Sequence, residues 1–205
     1  MAERHAPDLV LASASPARRK MLEAAGVSFR IVPAEIDEAA IRQDIDDGGR
    51  RREPEQIART LAQLKAESVG RRFPEALVIG ADQVLAVEHD ILEKPHDLSE
   101  AREGLLRLRG KTHRLCSAVA LVTNGRLCWQ AAGRADMTMR PFSEQFLDAY
   151  LAKAGSSVCS SVGAYRIEEL GIQLFEHIAG DYFTILGLPL LPLLAELRAR
   201  GALVD

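Results

Sequence analysis

Polar groups capable of chemistry stand where apolar runs of this 205-residue chain end: the turn Ser13 to Arg19, then Glu38, Lys65, Asp82, Lys94 and Asp181. Carboxylates among lysines and arginines beside a helix start suit a polyphosphate and a hard divalent ion, which need backbone amides, cations and at least one carboxylate. Leu77-Val78-Ile79 reads as a buried strand leading into Gly80-Ala81-Asp82-Gln83. A carboxylate at the end of such a strand either ties down a loop or faces a ligand, because a buried Asp is rarely left unpaired. Lys65 falls between Leu61 and Val69 on the apolar face of a predicted helix. Its ammonium must snorkel to water or meet a buried anion. In the first turn Ser15 can cap a helix and Pro16 can open it; by themselves these residues also fit an ordinary capped helix with Arg18 and Arg19 in water.

Rival chemistries lack their local geometry. Gly104 with Gly110-Lys111-Thr112 imitates a P-loop, but five residues separate the glycines and the tract follows a helix. A nucleophile elbow, GxGxxG and HExxH are absent. Cys116, Cys128 and Cys159 show no CxxC spacing and the five histidines are scattered, so zinc has little support. An odd number of cysteines fits reduced thiols in a cytoplasm.

The elements that must position these groups alternate in type. Leu9 to Ala14 and Phe29 to Val32 read as strands around a helix carrying Met21, Leu22 and Ala25, which ends at Gly26. Pro54 to Val69 reads as a helix, and the charged tract Asp44 to Glu55 before it as a solvated connection. Asp97 with Glu100 predicts a capping box for a helix from Leu98 to Arg109. His113 to Thr123 and Arg126 to Met139 flank Asn124-Gly125 and predict a long hairpin. Ser143 caps a further helix that ends at Gly155, and Ser156 to Gly163 reads as a loop. Ile172 to Phe175 reads as strand, Gly180-Asp181 as a turn, and Pro189 to Gly201 as a helix. The order predicts an α/β or α+β protein with a mixed sheet.

Composition agrees: 47% of residues are hydrophobic, enough for a core that hides about 70% of the unfolded surface. With 26 Lys+Arg against 29 Asp+Glu, no nucleic-acid footprint and no polybasic membrane signal exists. No stretch reads as a membrane span or an export signal.

The blocks Leu11-Ala12-Ser13-Ala14-Ser15-Pro16-Ala17-Arg18-Arg19, Ile79-Gly80-Ala81-Asp82-Gln83, Leu92-Glu93-Lys94-Pro95, Gly110-Lys111-Thr112-His113, Gly163-Ala164-Tyr165 and Gly180-Asp181-Tyr182 through Gly187-Leu188-Pro189-Leu190 resemble the Maf family of nucleoside triphosphate pyrophosphatases. They fall in order along residues 9 to 190, which makes chance similarity improbable. The resemblance implies a single Maf-like unit over 1–205, two-lobed around a nucleotide cleft, of the type shared with inosine triphosphate pyrophosphatases. It implies hydrolysis of a nucleoside triphosphate to the monophosphate and pyrophosphate, with Mg²⁺ or Mn²⁺, in a cytoplasmic homodimer that binds neither nucleic acid nor membrane. By the same resemblance Asp82 is the proton acceptor or a metal ligand, with Glu38 as a further metal ligand. Ser13, Arg18, Lys65 and Lys94 line the cleft.

Departures from the commonest family pattern bear on the substrate. Ala17 precedes the arginine pair, Gln83 follows Asp82 where Thr is common, and Glu168 stands where Gln is common. This combination resembles the branch acting on 7-methylguanosine triphosphate more than the branch acting on dTTP and UTP. A carboxylate at Glu168 would favour a base that carries positive charge, as N7-methylated guanine does. An exposed loop residue beside Glu169, a dTTP/UTP enzyme and a nucleotide-binding regulator of cell division are the alternatives.

Overall fold

The computed structural model describes residues 7–38, 40, 41 and 53–204. The tract Asp44 to Glu55, as far as residue 52, lies outside the described residues. Seven strands form one mixed sheet: β1 (Leu9–Leu11), β2 (Arg30–Ile31), β3 (Leu77–Val87), β4 (Asp90–Leu92), β5 (Thr112–Thr123), β6 (Arg126–Met139) and β7 (Phe175–Gly180). Their order is β2-β1-β3-β5-β6-β7, with β4 also on β3. β1 runs parallel to β2 and β3, and every other pairing is antiparallel. The helices with bounds among the described residues are α1 (Pro16–Ala24), α2 (Pro54–Gly70), α3 (Leu98–Leu108), α4 (Glu144–Ala154), α5 (Tyr182–Ile185) and α6 (Leu190–Ala199).

Local chemistry explains most boundaries. The side chains of Ser15, Asp97, Ser143 and Asp181 each accept a backbone N–H as N-caps of α1, α3, α4 and α5. Asn124 and Gly125 both take positive φ, at 50° and 67°, which gives the β5–β6 turn the twist the hairpin needs. Some readings change. Residues 170–174 form a 3₁₀ segment, and the strand predicted at Ile172 to Phe175 starts only at Phe175. Ser156 to Gly163, read as loop, begins with a 3₁₀ segment over Gly155–Ser160.

The three long strands carry two halves of core. One half packs β1 and the first part of β3 between α2 on one face, through Leu61 and Ala62, and Leu22 and Leu193 of α1 and α6 on the other. The other half packs the last part of β3, the start of β5 and the end of β6 against Leu105, Leu108 and Leu147 of α3 and α4. β3 also runs further than its sequence suggests, to Val87, so Asp82 sits in mid-strand instead of beyond a strand end. Gly80 and Asp82 are poor strand formers alone, but β5 pairs with every residue from Val78 to Ala86, and that ladder overrides their preference.

Candidate active site

A break in the sheet makes the cleft. β1 pairs with β3 only at Leu77 to Ile79, and β4 pairs with the same edge only at Leu85 to Val87. Between them Gly80 to Val84 has β5 on one side and no described strand on the other. Side chains alternate along a strand. Asp82 therefore shares the face of Val78 and Val84, under α2, whereas Gln83 points to the opposite face. Both border the opening, a cleft of about 420 Å³, within the range of small-molecule sites.

Gly80 explains how Lys65 reaches Asp82. A Cβ at Gly80 would lie 2.2 Å from the carbonyl oxygen of Ala62, so only glycine lets α2 lie this close to β3. Ala58, Ala62 and Ala66 present small, fully buried side chains there. Lys65 meets the buried anion: its Nζ lies 2.5 Å from Asp82 Oδ1 and 2.9 Å from Glu38 Oε1. Asp82 is 3% exposed, and its second oxygen, Oδ2, is buried without a partner among the described residues.

Arg18 enters from α1. Its Nε donates to the carbonyl oxygen of Gly187 at 2.8 Å and its Nη1 to Ser13 Oγ at 3.1 Å. Burial lowers the Arg18 pKa, while Asp82 and Glu38 push it back up. Lys94 is also lowered, first by burial and then by Arg18 and Lys65, against the pull of Glu38 and Asp82. Such a lysine releases its proton more readily than one in water, and a bound anion would hold it charged.

Of the residues singled out in the sequence, Arg18, Glu38, Lys65, Asp82, Gln83, Lys94 and Glu168 line this one cleft. Ser13 stands behind Arg18 as an acceptor for it. Asp181 does not line the cleft and instead caps α5, accepting from the N–H of Thr184 at 2.7 Å. Glu168 sits in the far wall with its side chain 26% exposed, and Arg166 Nε lies 3.3 Å from its Oε1. Arg166 and Ser161 were missed, because a short polar loop carries no periodicity to mark it.

Behind the far wall, His113 Nε2 and Tyr165 OH share a hydrogen bond of 2.7 Å, with Phe175 edge-on to Tyr165. Burial drives the His113 pKa down to about 4, so the ring stays neutral near pH 7. The Tyr165 hydroxyl is pushed well above its usual range, chiefly by burial. This pair fixes the ring of Tyr165, which faces the cleft.

The sequence is similar to those of named proteins. A protein of Rhizobium etli named 7-methyl-GTP pyrophosphatase is 49% identical over 197 residues, 96% of this chain and 98% of its own. One of Mesorhizobium japonicum with the same name is 50% identical, over 95% of this chain and 97% of its own. One of Paramagnetospirillum magneticum named nucleoside triphosphate pyrophosphatase is 51% identical, over 95% of this chain and its full length. The model of the family described as Maf-like protein matches residues 8–200, and the chain belongs to that family.

Proposed function

We propose that the chain hydrolyses a nucleoside triphosphate to the monophosphate and pyrophosphate, with a preference for 7-methyl-GTP. The observation that carries this reading is Asp82: a buried carboxylate, one oxygen held by Lys65, the other without a partner among the described residues, with Arg18 and Lys94 beside it in one cleft. The names of the relatives support the reaction and, for several of them, the substrate.

In this reading Asp82 Oδ2 orients the attacking water at the α-phosphorus and accepts its proton. Lys65 holds Asp82 in place by occupying Oδ1. Arg18 and Lys94 bind the phosphates and offset the charge that grows on the leaving pyrophosphate. Glu168 faces the base and favours a cationic, N7-methylated ring.

The donor set fits a divalent cation. Four lysines and arginines and four carboxylates line the cleft, so its wall is formally neutral and receives a triphosphate best as a metal complex. Glu38 would hold Mg²⁺ or Mn²⁺, with the remaining ligands from phosphate and water, since no cluster of three or more protein ligands exists among the described residues; Asp82 is the second carboxylate that could join it, in place of accepting the proton. Such an ion supplies charge neutralisation at the phosphoryl oxygens. The same reading places the enzyme in the cytoplasm, where its three free cysteines stay reduced, and as a homodimer by family resemblance.

The test is a panel of nucleoside triphosphates with Mg²⁺ or Mn²⁺, with both products identified. Monophosphate plus pyrophosphate, fastest from 7-methyl-GTP, is the expected outcome. Diphosphate plus orthophosphate, or no turnover by folded protein, would refute it.

A further inference from the structure

Gln83 and Ser117 face one another across β3 and β5, at the seam between the two halves of the core. Ser117 is fully buried and has no part in the proposed reaction. Around the Gln83 side chain, Nε2 lies 3.0 Å from Ser117 Oγ, 3.1 Å from the carbonyl oxygen of Thr184 and 3.0 Å from that of Ile185. Ser117 Oγ itself donates to the Thr184 carbonyl at 2.7 Å.

The donor and acceptor inventory leaves one arrangement. Both backbone carbonyls can only accept, and the serine hydroxyl, its hydrogen given to Thr184, meets Gln83 as an acceptor too. Only the NH₂ end of the amide fits there. The reversed amide would set its oxygen against three other oxygens and leave the Ile185 carbonyl without its donor, while the Thr184 carbonyl would keep Ser117 Oγ and the N–H of Gly187. The other end, Oε1, accepts from no described residue and is not among the buried atoms without a partner. Since Gln83 lines the cleft, that oxygen opens on it.

We propose that Ser117 and the carbonyls of Thr184 and Ile185 lock the Gln83 amide with its oxygen toward the cleft, so that Gln83 reads N–H donors on the substrate. This rests on the reading above that a nucleotide occupies the cleft. The ligand edge that complements Gln83 is one carrying N–H, such as the N1–H and 2-amino group of a guanine. Ser117 acts only through Gln83 and is a positioning residue.

Two measurements test this. In ¹⁵N spectra of the ligand-free protein, the Gln83 side-chain NH₂ is assigned by its loss in Gln83→Met. Its protons are expected to be protected from solvent exchange, and Ser117→Ala is expected to speed that exchange about tenfold or more. Exchange as fast as that of a surface glutamine would overturn the orientation. The second is the ratio of kcat/KM for 7-methyl-GTP to that for 7-methylpurine riboside triphosphate, which keeps the ring and its charge but has no base N–H. Wild type is expected to favour 7-methyl-GTP about tenfold, mainly through KM, and Gln83→Met to bring the ratio below about threefold. Ser117→Ala is expected to fall between, a shift that a purely structural loss would not produce. An unchanged ratio in Gln83→Met overturns the proposal. Should Gln83→Met fail to fold, assignment by sequential methods in wild type and the wild-type ratio decide. If no triphosphate is turned over, the proposed function fails while the exchange data still decide the amide orientation.

Discussion

Asp82 on β3 and His113 on β5 each keep one buried polar atom without a partner, Oδ2 in one case and Nδ1 in the other. Their surroundings differ in kind. Around Asp82 are the cations Lys65, Arg18 and Lys94, and the residue borders a cleft. Around His113 are the rings of Tyr165 and Phe175, and burial removes the charge instead. An unpaired atom thus points to a ligand only where cations surround it beside an opening. Where the group has been neutralised and closed in aromatics, it shapes a wall.

Replacement of each group separates these two roles. Asp82→Asn removes the proposed base and keeps the shape, so kcat is expected to fall about 100- to 10,000-fold with secondary structure intact by circular dichroism; full activity would remove Asp82 from its role. Lys65→Met leaves the buried Asp82 carboxylate without its closest cation and is expected to cost about 3 kcal/mol, read from urea unfolding at pH 7. A loss below about 1 kcal/mol would mean that Arg18 and Lys94 suffice to hold that charge.

His113 is expected to show itself in the pH dependence of stability. Its pKa is near 6.5 when unfolded and about 4 when folded, so between those values the unfolded chain takes up a proton that the folded chain refuses. The contribution is complete above about pH 6.5 and is lost as the pH falls toward 4, on the order of 3 kcal/mol in all. In His113→Phe the decline from pH 7 to pH 4.5 should be shallower by much of that amount, and an identical decline would show that His113 titrates normally. The smallest expected effect is at Glu168. Because Arg166 already engages this carboxylate, Glu168→Gln is expected to lower the preference for 7-methyl-GTP over GTP only about three- to tenfold. An unchanged preference would assign Glu168 to Arg166 alone.

Much of this was legible in the residues. The caps at Ser15, Asp97 and Ser143 and the Asn124-Gly125 hairpin act over a few residues, and each formed as its chemistry dictates. Lys65 on an apolar face had either to snorkel to water or to meet a buried anion, and Asp82 is that anion. What local signals did not carry was tertiary. β3 passes through Gly80 and Asp82 because β5 pairs with it, and the cleft exists because β1 and β4 cover only the two ends of one edge. Nor does anything near Ser117 in the chain indicate that it meets Gln83 and Thr184, 34 and 67 residues away. Asp181, grouped with the phosphate-binding residues by its place after a strand, proved to be a helix cap, since a short Asp before Tyr182 satisfies the N–H of Thr184 directly.

The central claim is that water held at Asp82 attacks the α-phosphorus. Turnover of 7-methyl-GTP in H₂¹⁸O, with the label located by mass spectrometry, tests this directly. The account predicts ¹⁸O in the nucleoside monophosphate and none in the pyrophosphate. Label in the pyrophosphate would place the attack on the β-phosphorus and contradict it.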